Sequence, residues 1–136
     1  MDTTLVICKP DAVERGLVGE ILGRLERKGL RLVAGELRTI DAALAEAHYG
    51  EHRERPFFGD LVSFITRSPA FVAVVGGPAD TWRIVRTMMG PTNPADAPPG
   101  TIRGDLGTEL TENLVHGSDS AESAAREVAL FFPGLA

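Results

Sequence analysis

Short apolar runs alternate with amphipathic segments along most of the chain. Residues 3–8 form the first run, which is apolar, partly β-branched and stopped by Pro10. Residues 30–40 show mixed alternation, and residues 70–75 form a second apolar run that ends at a Gly-Gly-Pro sequence. Short runs of this kind, bounded by turn residues, are typical of strands. We therefore predict three strands at these positions.

The segments between these runs have the spacing of helices. Residues 17–28 carry apolar residues on one helical face and are followed by Gly29, which suits the position after a helix end. Asp41 is a good N-cap for a helix that ends near residue 49, and Ser118 or Asp119 would cap the last helix. Further helices are predicted at residues 60–67, 79–89 and 120–132. The alternation of strands and helices predicts an α/β or α+β sandwich.

One segment, residues 90–113, fits neither pattern. Residues 90–107 contain four prolines and four glycines, and no helix or strand is predicted there. Long loops inside compact domains are usually functional or disordered. The segment carries Thr92, Asn93, Thr101 and Arg103, so it could fold over a polar ligand. A mobile surface loop is equally compatible with the composition.

Composition and charge narrow the class of protein. The chain has 136 residues, 43% hydrophobic and 24% charged, which suits one domain and argues against extended disorder. A net charge of −5 argues against a general nucleic-acid or anionic-membrane binder. The single cysteine, Cys8, excludes an intrachain disulfide and a cysteine-rich zinc site. We find no targeting or membrane-spanning segment, and we expect a cytoplasmic protein.

The most informative local sequence surrounds His116, within residues 113–119 (NLVHGSD). A short apolar stretch leads to His116 at a turn, directly before the last predicted helix. Helix N-termini favour anions, and a neutral imidazole is a good nucleophile toward an anionic phosphoryl group. Alternatively, the residues after His116 only cap the helix and the histidine is an incidental turn residue. The residues alone leave both interpretations open.

Other side chains could bind a phosphorylated ligand, although each also has a structural explanation. Basic side chains that could neutralise phosphates are Lys9, Arg86 and Arg103. Phe57 could stack on a nucleobase or belong to the core, and the Tyr49 hydroxyl suits a phosphate contact. We expect His48 and His52 to be exposed and assign them no role. The known phosphate-binding glycine loops and paired metal-ligand motifs do not occur in the sequence.

Six short segments share a pattern with a known family: residues 6–11 (VICKPD), 48–49 (HY), 55–58 (RPFF), 90–94 (GPTNP), 99–105 (PGTIRGD) and 113–120 (NLVHGSDS). The last two blocks are highly specific in combination. Taken together, these segments resemble nucleoside diphosphate kinases. The resemblance covers nearly the whole chain, and the end soon after residues 131–134 resembles the shorter bacterial forms.

The resemblance implies a fold and a site. The fold is a ferredoxin-like βαββαβ core with an antiparallel sheet, added helices and a long insertion before the last strand, in one domain over residues 1–136. His116 matches the histidine that carries the phosphoryl group, Glu127 and Ser118 match the residues that orient it, and Phe57 matches the base-stacking position. The positions that contact phosphates and ribose are matched by Lys9, Tyr49, Arg86, Thr92, Arg103 and Asn113. The Arg86 match rests on counting back from residue 90.

The resemblance also implies partners. The substrates are nucleoside di- and triphosphates, with Mg²⁺ bound mainly through their phosphates and no metal site on the protein. A homo-oligomer is implied, most often a hexamer and sometimes a tetramer, and no membrane or nucleic-acid partner is expected. Two alternatives are a histidine phosphocarrier without a nucleotide site and a non-catalytic ferredoxin-like binding module.

Overall fold

The computed structural model describes residues 1–135 and contains an antiparallel four-stranded sheet. The strands are β1 (Asp2–Cys8), β2 (Arg31–Arg38), β3 (Ala70–Gly77) and β4 (Val115–Gly117). Their order across the sheet is β2-β3-β1-β4, so β1 and β3 are central and β2 and β4 lie at the edges. This order and the interleaved helices confirm the predicted ferredoxin-like core.

Seven α-helices surround the sheet in the described part of the chain. They are α1 (Pro10–Glu14), α2 (Val18–Arg27), α3 (Ala42–His48), α4 (Phe58–Thr66), α5 (Thr81–Met89), α6 (Ile102–Leu106) and α7 (Ala121–Phe131). Short 3₁₀ turns occupy Gly50–His52, Pro94–Asp96 and Pro133–Leu135. Within residues 1–135, no helix combines the length and the apolar character needed to cross a lipid bilayer.

The central strand β1 has a core on each of its two faces. Val6 and Cys8 point to one face, where they pack with α2 and α5, while Leu5 and Ile7 point to the other, where they pack with α4 and α7. Successive strand residues alternate between faces, so a strand covered on both sides must be apolar throughout. This explains the continuous apolar run in the sequence. Burial raises the pKa of the Cys8 thiol to about 12, so Cys8 is an unreactive core residue.

Most predicted helices and strands are confirmed, with ends that differ by a few residues. The Asp41 side chain caps α3 as predicted, accepting a hydrogen bond of 2.8 Å from the Leu44 amide. The cap predicted for the last helix is wrong: Ser120 caps α7 through the Ser123 amide. The Ser118 hydroxyl is engaged elsewhere, since it donates to Glu127 and accepts a hydrogen bond from the Leu5 amide.

The prediction that residues 90–113 contain no helix is wrong, since α6 lies within this segment. Thr101 caps α6 by accepting a hydrogen bond from the Gly104 amide. A side chain at Gly104 would collide with the Pro98 carbonyl, so glycine allows the segment to fold back on itself. The Arg24–Asp105 ion pair, with a separation of 2.8 Å, ties α6 to α2. The position of this segment before β4 confirms the predicted insertion.

Candidate active site

His116 lies on β4 rather than at the predicted turn. It pairs with Ile7 of β1, and its side chain is 19% exposed. The sequence prediction missed this because β4 is only three residues long, and its end is set by pairing with β1 rather than by a local signal. The sheet therefore fixes the backbone of His116, which a turn would hold less firmly.

Glu127 on α7 holds the His116 ring. His116 Nε2 lies 2.8 Å from Glu127 Oε1, and the Ser118 hydroxyl donates to the same oxygen over 2.7 Å. Burial opposes ionisation of Glu127, but the hydrogen bonds from His116 and Ser118 outweigh it and keep the Glu127 pKa below its usual value. An ionised carboxylate only accepts hydrogen bonds, so the Nε2 atom of His116 carries the proton. The Nδ1 atom of the neutral ring then keeps its lone pair.

His48 packs against His116, contrary to the prediction that it is exposed. Its ring is buried and meets the His116 ring edge-on at a centroid distance of 4.7 Å and the Phe131 ring at 5.4 Å. Burial and the neighbouring His116 lower the His48 pKa to about 3, so the His48 ring stays neutral. The sequence signal that indicates burial is the three-residue spacing between Ala45 and His48 on α3.

Lys9 follows β1 and lies beside His116. Its Nζ donates to Asn113 Oδ1 over 2.8 Å, and the Asn113 amide donates to the Thr92 carbonyl over 3.0 Å. Burial, together with the nearby Arg103 charge, lowers the Lys9 pKa to about 8. A buried ammonium group with one hydrogen-bond acceptor is well suited to gain a second, anionic partner.

The two arginines of the site also organise the backbone around it. Arg103 donates from Nε to the Asn113 carbonyl, from Nη1 to the Gly90 carbonyl and from Nη2 to the Val115 carbonyl. Burial and the Arg86 charge lower the Arg103 pKa to about 10, which leaves the guanidinium charged at neutral pH. Arg86 donates to the Gly117 carbonyl over 3.0 Å, so α5 delivers this side chain to β4.

A strained residue lies between Asn113 and the strand that carries His116. Leu114 has a φ of +75°, which non-glycine residues rarely adopt. Asp11 stabilises this conformation by accepting a hydrogen bond of 3.0 Å from the Leu114 amide, and the Lys9 amide donates to the Leu114 carbonyl over 2.9 Å. The conformation places Asn113 against Lys9 while His116 remains paired in the sheet.

Two adjoining cavities meet at His116. The first has a volume of about 210 Å³ and is polar, and the second has a volume of about 440 Å³ and a more apolar wall. The first cavity brings together the predicted residues Lys9, Tyr49, Arg86, Thr92, Arg103, Asn113, His116 and Glu127. Burial and the charge of Glu127 raise the Tyr49 pKa to about 12, so the Tyr49 hydroxyl stays protonated and can donate a hydrogen bond.

The second cavity contains Phe57, the predicted stacking residue. Phe57 is 43% exposed, so its ring does not belong to the core. Leu61 and Leu110 line the same cavity and were not identified from the sequence, because isolated leucines carry no motif. Also missed were Thr111 in this cavity and Glu51, His52 and Asp119 in the polar one.

Among the described residues, one group of side chains could hold a metal ion. Ligand atoms of His48, His116 and Glu127 all lie within 4.8 Å of one another. Two imidazoles and one carboxylate suit a transition metal better than Mg²⁺, which prefers oxygen ligands. The side chains of Lys9 and Arg103 are positively charged and line the same cavity, so the cavity suits an anion better than a metal cation.

Comparisons with known proteins agree with this geometry. The family model for nucleoside diphosphate kinase matches residues 2–135. A nucleoside diphosphate kinase of Saccharopolyspora erythraea is 59% identical over 98% of this chain and 98% of its own length. One from Frankia casuarinae is 57% identical over 99% of this chain and 98% of its own length.

Solved structures agree as well. A halophilic nucleoside diphosphate kinase from Halobacterium salinarum, solved in complex with CDP, matches with a TM-score of 0.93 and 53% identity. The match covers 96% of this chain and 87% of that one. The fold and site thus define a ferredoxin-like phosphotransferase. The chain belongs to the nucleoside diphosphate kinase family.

Proposed function

We propose that this nucleoside diphosphate kinase transfers the γ-phosphoryl group of a nucleoside triphosphate to a nucleoside diphosphate through a phosphohistidine on His116. The observation that carries this proposal is the hydrogen bond of 2.8 Å between His116 Nε2 and Glu127 Oε1. It holds the proton on Nε2 and leaves the Nδ1 lone pair as the nucleophile, in a ring that lines both cavities.

The reaction has two half-reactions. In the first, the Nδ1 lone pair of His116 attacks the γ-phosphorus, the bond to the β–γ bridging oxygen breaks, and the nucleoside diphosphate leaves. The Nε2 proton stays in place, where Glu127 stabilises the positive charge that the ring acquires. In the second half-reaction, a terminal oxygen of a different nucleoside diphosphate attacks the phosphorus and releases the His116 nitrogen.

The phosphates would occupy the polar cavity. Phosphoryl transfer depends on in-line positioning and charge stabilisation, and the cations of Lys9, Arg86 and Arg103 supply positive charge there. Mg²⁺ would arrive on the nucleotide as part of the substrate. The carboxylates of Glu51 and Asp119 line this cavity and offer oxygen acceptors for waters that Mg²⁺ retains.

The base would occupy the cavity at Phe57. Stacking on an aromatic ring tolerates every base, because each has a π-face, so we expect broad nucleotide acceptance.

A histidine phosphocarrier has no use for such a cavity, and a binding module has no use for the Glu127–His116 pair. Incubation with Mg·ATP and GDP should give GTP and ADP, which neither alternative produces.

Glu127→Gln tests the role assigned to Glu127. Glutamine keeps the size of the side chain but removes the charge that stabilises the ring. Because a hydrogen bond to a charged group contributes about 1.5–3 kcal/mol, we expect kcat to fall roughly 10- to 100-fold. Rapid-quench measurement of phosphoenzyme formation would locate the loss in the chemical step. A wild-type rate of phosphoenzyme formation would contradict the assignment.

We also propose that the protein is a single-domain, cytoplasmic homo-oligomer. The expected assembly is a hexamer, and its subunits would pair through the edge strand β2. Leu32, Val33 and Leu37 on this edge strand are 44%, 41% and 59% exposed. An unpaired strand edge that carries apolar side chains favours pairing with a second copy. Residues 90–113 are already tied to the rest of the same chain, because Arg103 donates to the Val115 carbonyl and Asp105 pairs with Arg24.

Leu37→Glu tests the proposed interface. A charge at this exposed position should weaken pairing of two β2 edges, so light scattering after gel filtration should show a smaller species than the wild type. The thermal midpoint at low protein concentration should change little, because the Leu37 side chain contributes little to the core of one chain. An unchanged particle mass would contradict the assignment of this edge. A wild-type monomer with full activity would contradict the assembly itself.

A further inference from the structure

An ion-pair cluster outside the two cavities joins three separate parts of the chain. Arg67, at the end of α4, forms two hydrogen bonds with Glu14 of α1, Nε to Oε2 over 3.1 Å and Nη2 to Oε1 over 2.6 Å. The same Nη2 atom donates to Glu112 Oε1 over 3.0 Å. Ser68 adds a hydrogen bond of 2.6 Å to Glu14. We call these four residues the Arg67 cluster.

The cluster connects two parts of the lining of the apolar cavity. Leu61, on α4, and Phe57 line this cavity, and so do Leu110 and Thr111, which belong to the segment that Glu112 continues. Leu110 is exposed and has little packing of its own. The Arg67–Glu112 pair therefore supplies a direct side-chain tie between α4 and the segment that carries Leu110 and Thr111.

The geometry of Arg67 favours a fixed position over a loose surface contact. Its guanidinium is engaged by two carboxylates and lies 4.9 Å from the centre of the Phe64 ring. A single exposed ion pair contributes little, but a bidentate pair within a network holds its partners in a defined geometry. Glu14 fixes the guanidinium to α1, and the Nη2 atom of Arg67 donates a second hydrogen bond to Glu112.

We propose that Arg67 is a positioning residue for the nucleobase: by holding Glu112, it sets the separation between Leu61 and Leu110 across the base cavity. Arg67 contacts no phosphate-site residue, so it should act on nucleotide binding and leave phosphoryl transfer unchanged. This inference rests on the assignment of the Phe57 cavity to the base.

The test compares a ligand that has a base with one that has none. Dissociation constants of ADP and of inorganic pyrophosphate would be measured by calorimetry for the wild type and for Arg67→Ala. We expect the dissociation constant of ADP to rise about two- to fivefold, the range of a network of exposed ion pairs, and that of pyrophosphate to stay constant. At saturating nucleotide, kcat should stay at the wild-type value while KM rises.

Partner variants separate positioning from general stability. Glu112→Gln should reproduce the effect of Arg67→Ala, and the double variant should be no worse than either single one, because both remove the same tie. Arg67→Lys should recover part of the ADP affinity. Arg27→Ala is the matched control, since Arg27 is exposed and, within residues 1–135, its only ion pair is a 3.9 Å contact with Glu20.

The outcomes distinguish the role of Arg67 from the assignment of the Phe57 cavity to the base, on which that role rests. If Phe57→Ala weakens ADP but not pyrophosphate while Arg67→Ala leaves both unchanged, the base site stands and the role of Arg67 is overturned. Equal weakening of ADP and pyrophosphate by Arg67→Ala would also overturn it. If Phe57→Ala leaves ADP binding unchanged, the base-site assignment and the inference built on it both fail.

Discussion

His116→Ala should abolish nucleotide-dependent phosphorylation and lower turnover roughly 10⁴-fold or more, the scale seen when a nucleophile is removed. Both half-reactions pass through the same nitrogen, so no second group in the described site can substitute for it. Incubation of the wild type with γ-labelled ATP should give an acid-labile, alkali-stable label, as expected of a phosphorylated imidazole nitrogen. The variant should give none.

A second histidine at the same cavity provides the control. His52 lines the polar cavity but makes no hydrogen bond to Glu127, so His52→Ala should still acquire the label. ADP should still bind to His116→Ala, because the phosphate cations and the Phe57 cavity remain. Retention of the label in His116→Ala, with unchanged turnover, would contradict the assignment of the nucleophile.

Lys9→Ala should remove about 2–4 kcal/mol of transition-state stabilisation, which lowers kcat/KM roughly 30- to 1000-fold. Lys9 is preferable to Arg103 for this test. The Arg103 guanidinium donates to three backbone carbonyls, so its removal would also disturb residues 90–115. Among the described residues, the Lys9 side chain donates only to Asn113, so its loss chiefly removes charge from the phosphate site.

The pH dependence follows from the lowered pKa of Lys9, which is about 8. Below this pH the ammonium is charged and attracts phosphates, and above it the group is neutral. Since kcat/KM reports the free enzyme, kcat/KM should fall as pH rises through about 8. Bound phosphate favours the charged form, so the corresponding decline in kcat should occur at higher pH. Lys9→Ala should lack this decline.

The exposed Lys28 provides the matched control for charge. Lys28→Ala removes the same formal charge far from the cavities, so it should keep both kcat/KM and the alkaline decline. Near-wild-type kcat/KM in Lys9→Ala would contradict the role of Lys9. The same alkaline decline in Lys9→Ala would assign the titration to another group.

The fold was predictable wherever burial leaves a local pattern. The central strands β1 and β3 and helix α2 show the spacing of apolar residues that burial of their faces requires. By contrast, β4 is too short to show a period, and α6 forms because Thr101 caps it and Gly104 lets it approach the Pro98 carbonyl. Pairing with the distant strand β1 decides where β4 forms, whereas the contacts that form α6 are local but give no apolar period to detect.

The predicted site residues that the structure brings together came from the family resemblance more than from local physics. On its own, the sequence around His116 allowed a helix cap and an incidental histidine. His48 was assigned to the surface because its neighbours are charged, yet packing against His116 and Phe131 buries it. The strained Leu114 and the wall residue Leu110 carry no sequence signal, since their roles depend on what approaches them in three dimensions.

The pairing of β1 with β4 has a consequence for how the protein is made. Lys9 and Asn113, which share a hydrogen bond, are separated by 104 positions in the sequence, and His116 is held by β1, which is translated long before it. Contacts this distant in sequence form late, because a long stretch of chain must first be ordered. A ribosome-bound chain that has not yet released β4 and α7 should therefore fail to retain nucleotide. Synthesis itself delays catalysis until β4 and α7 have emerged.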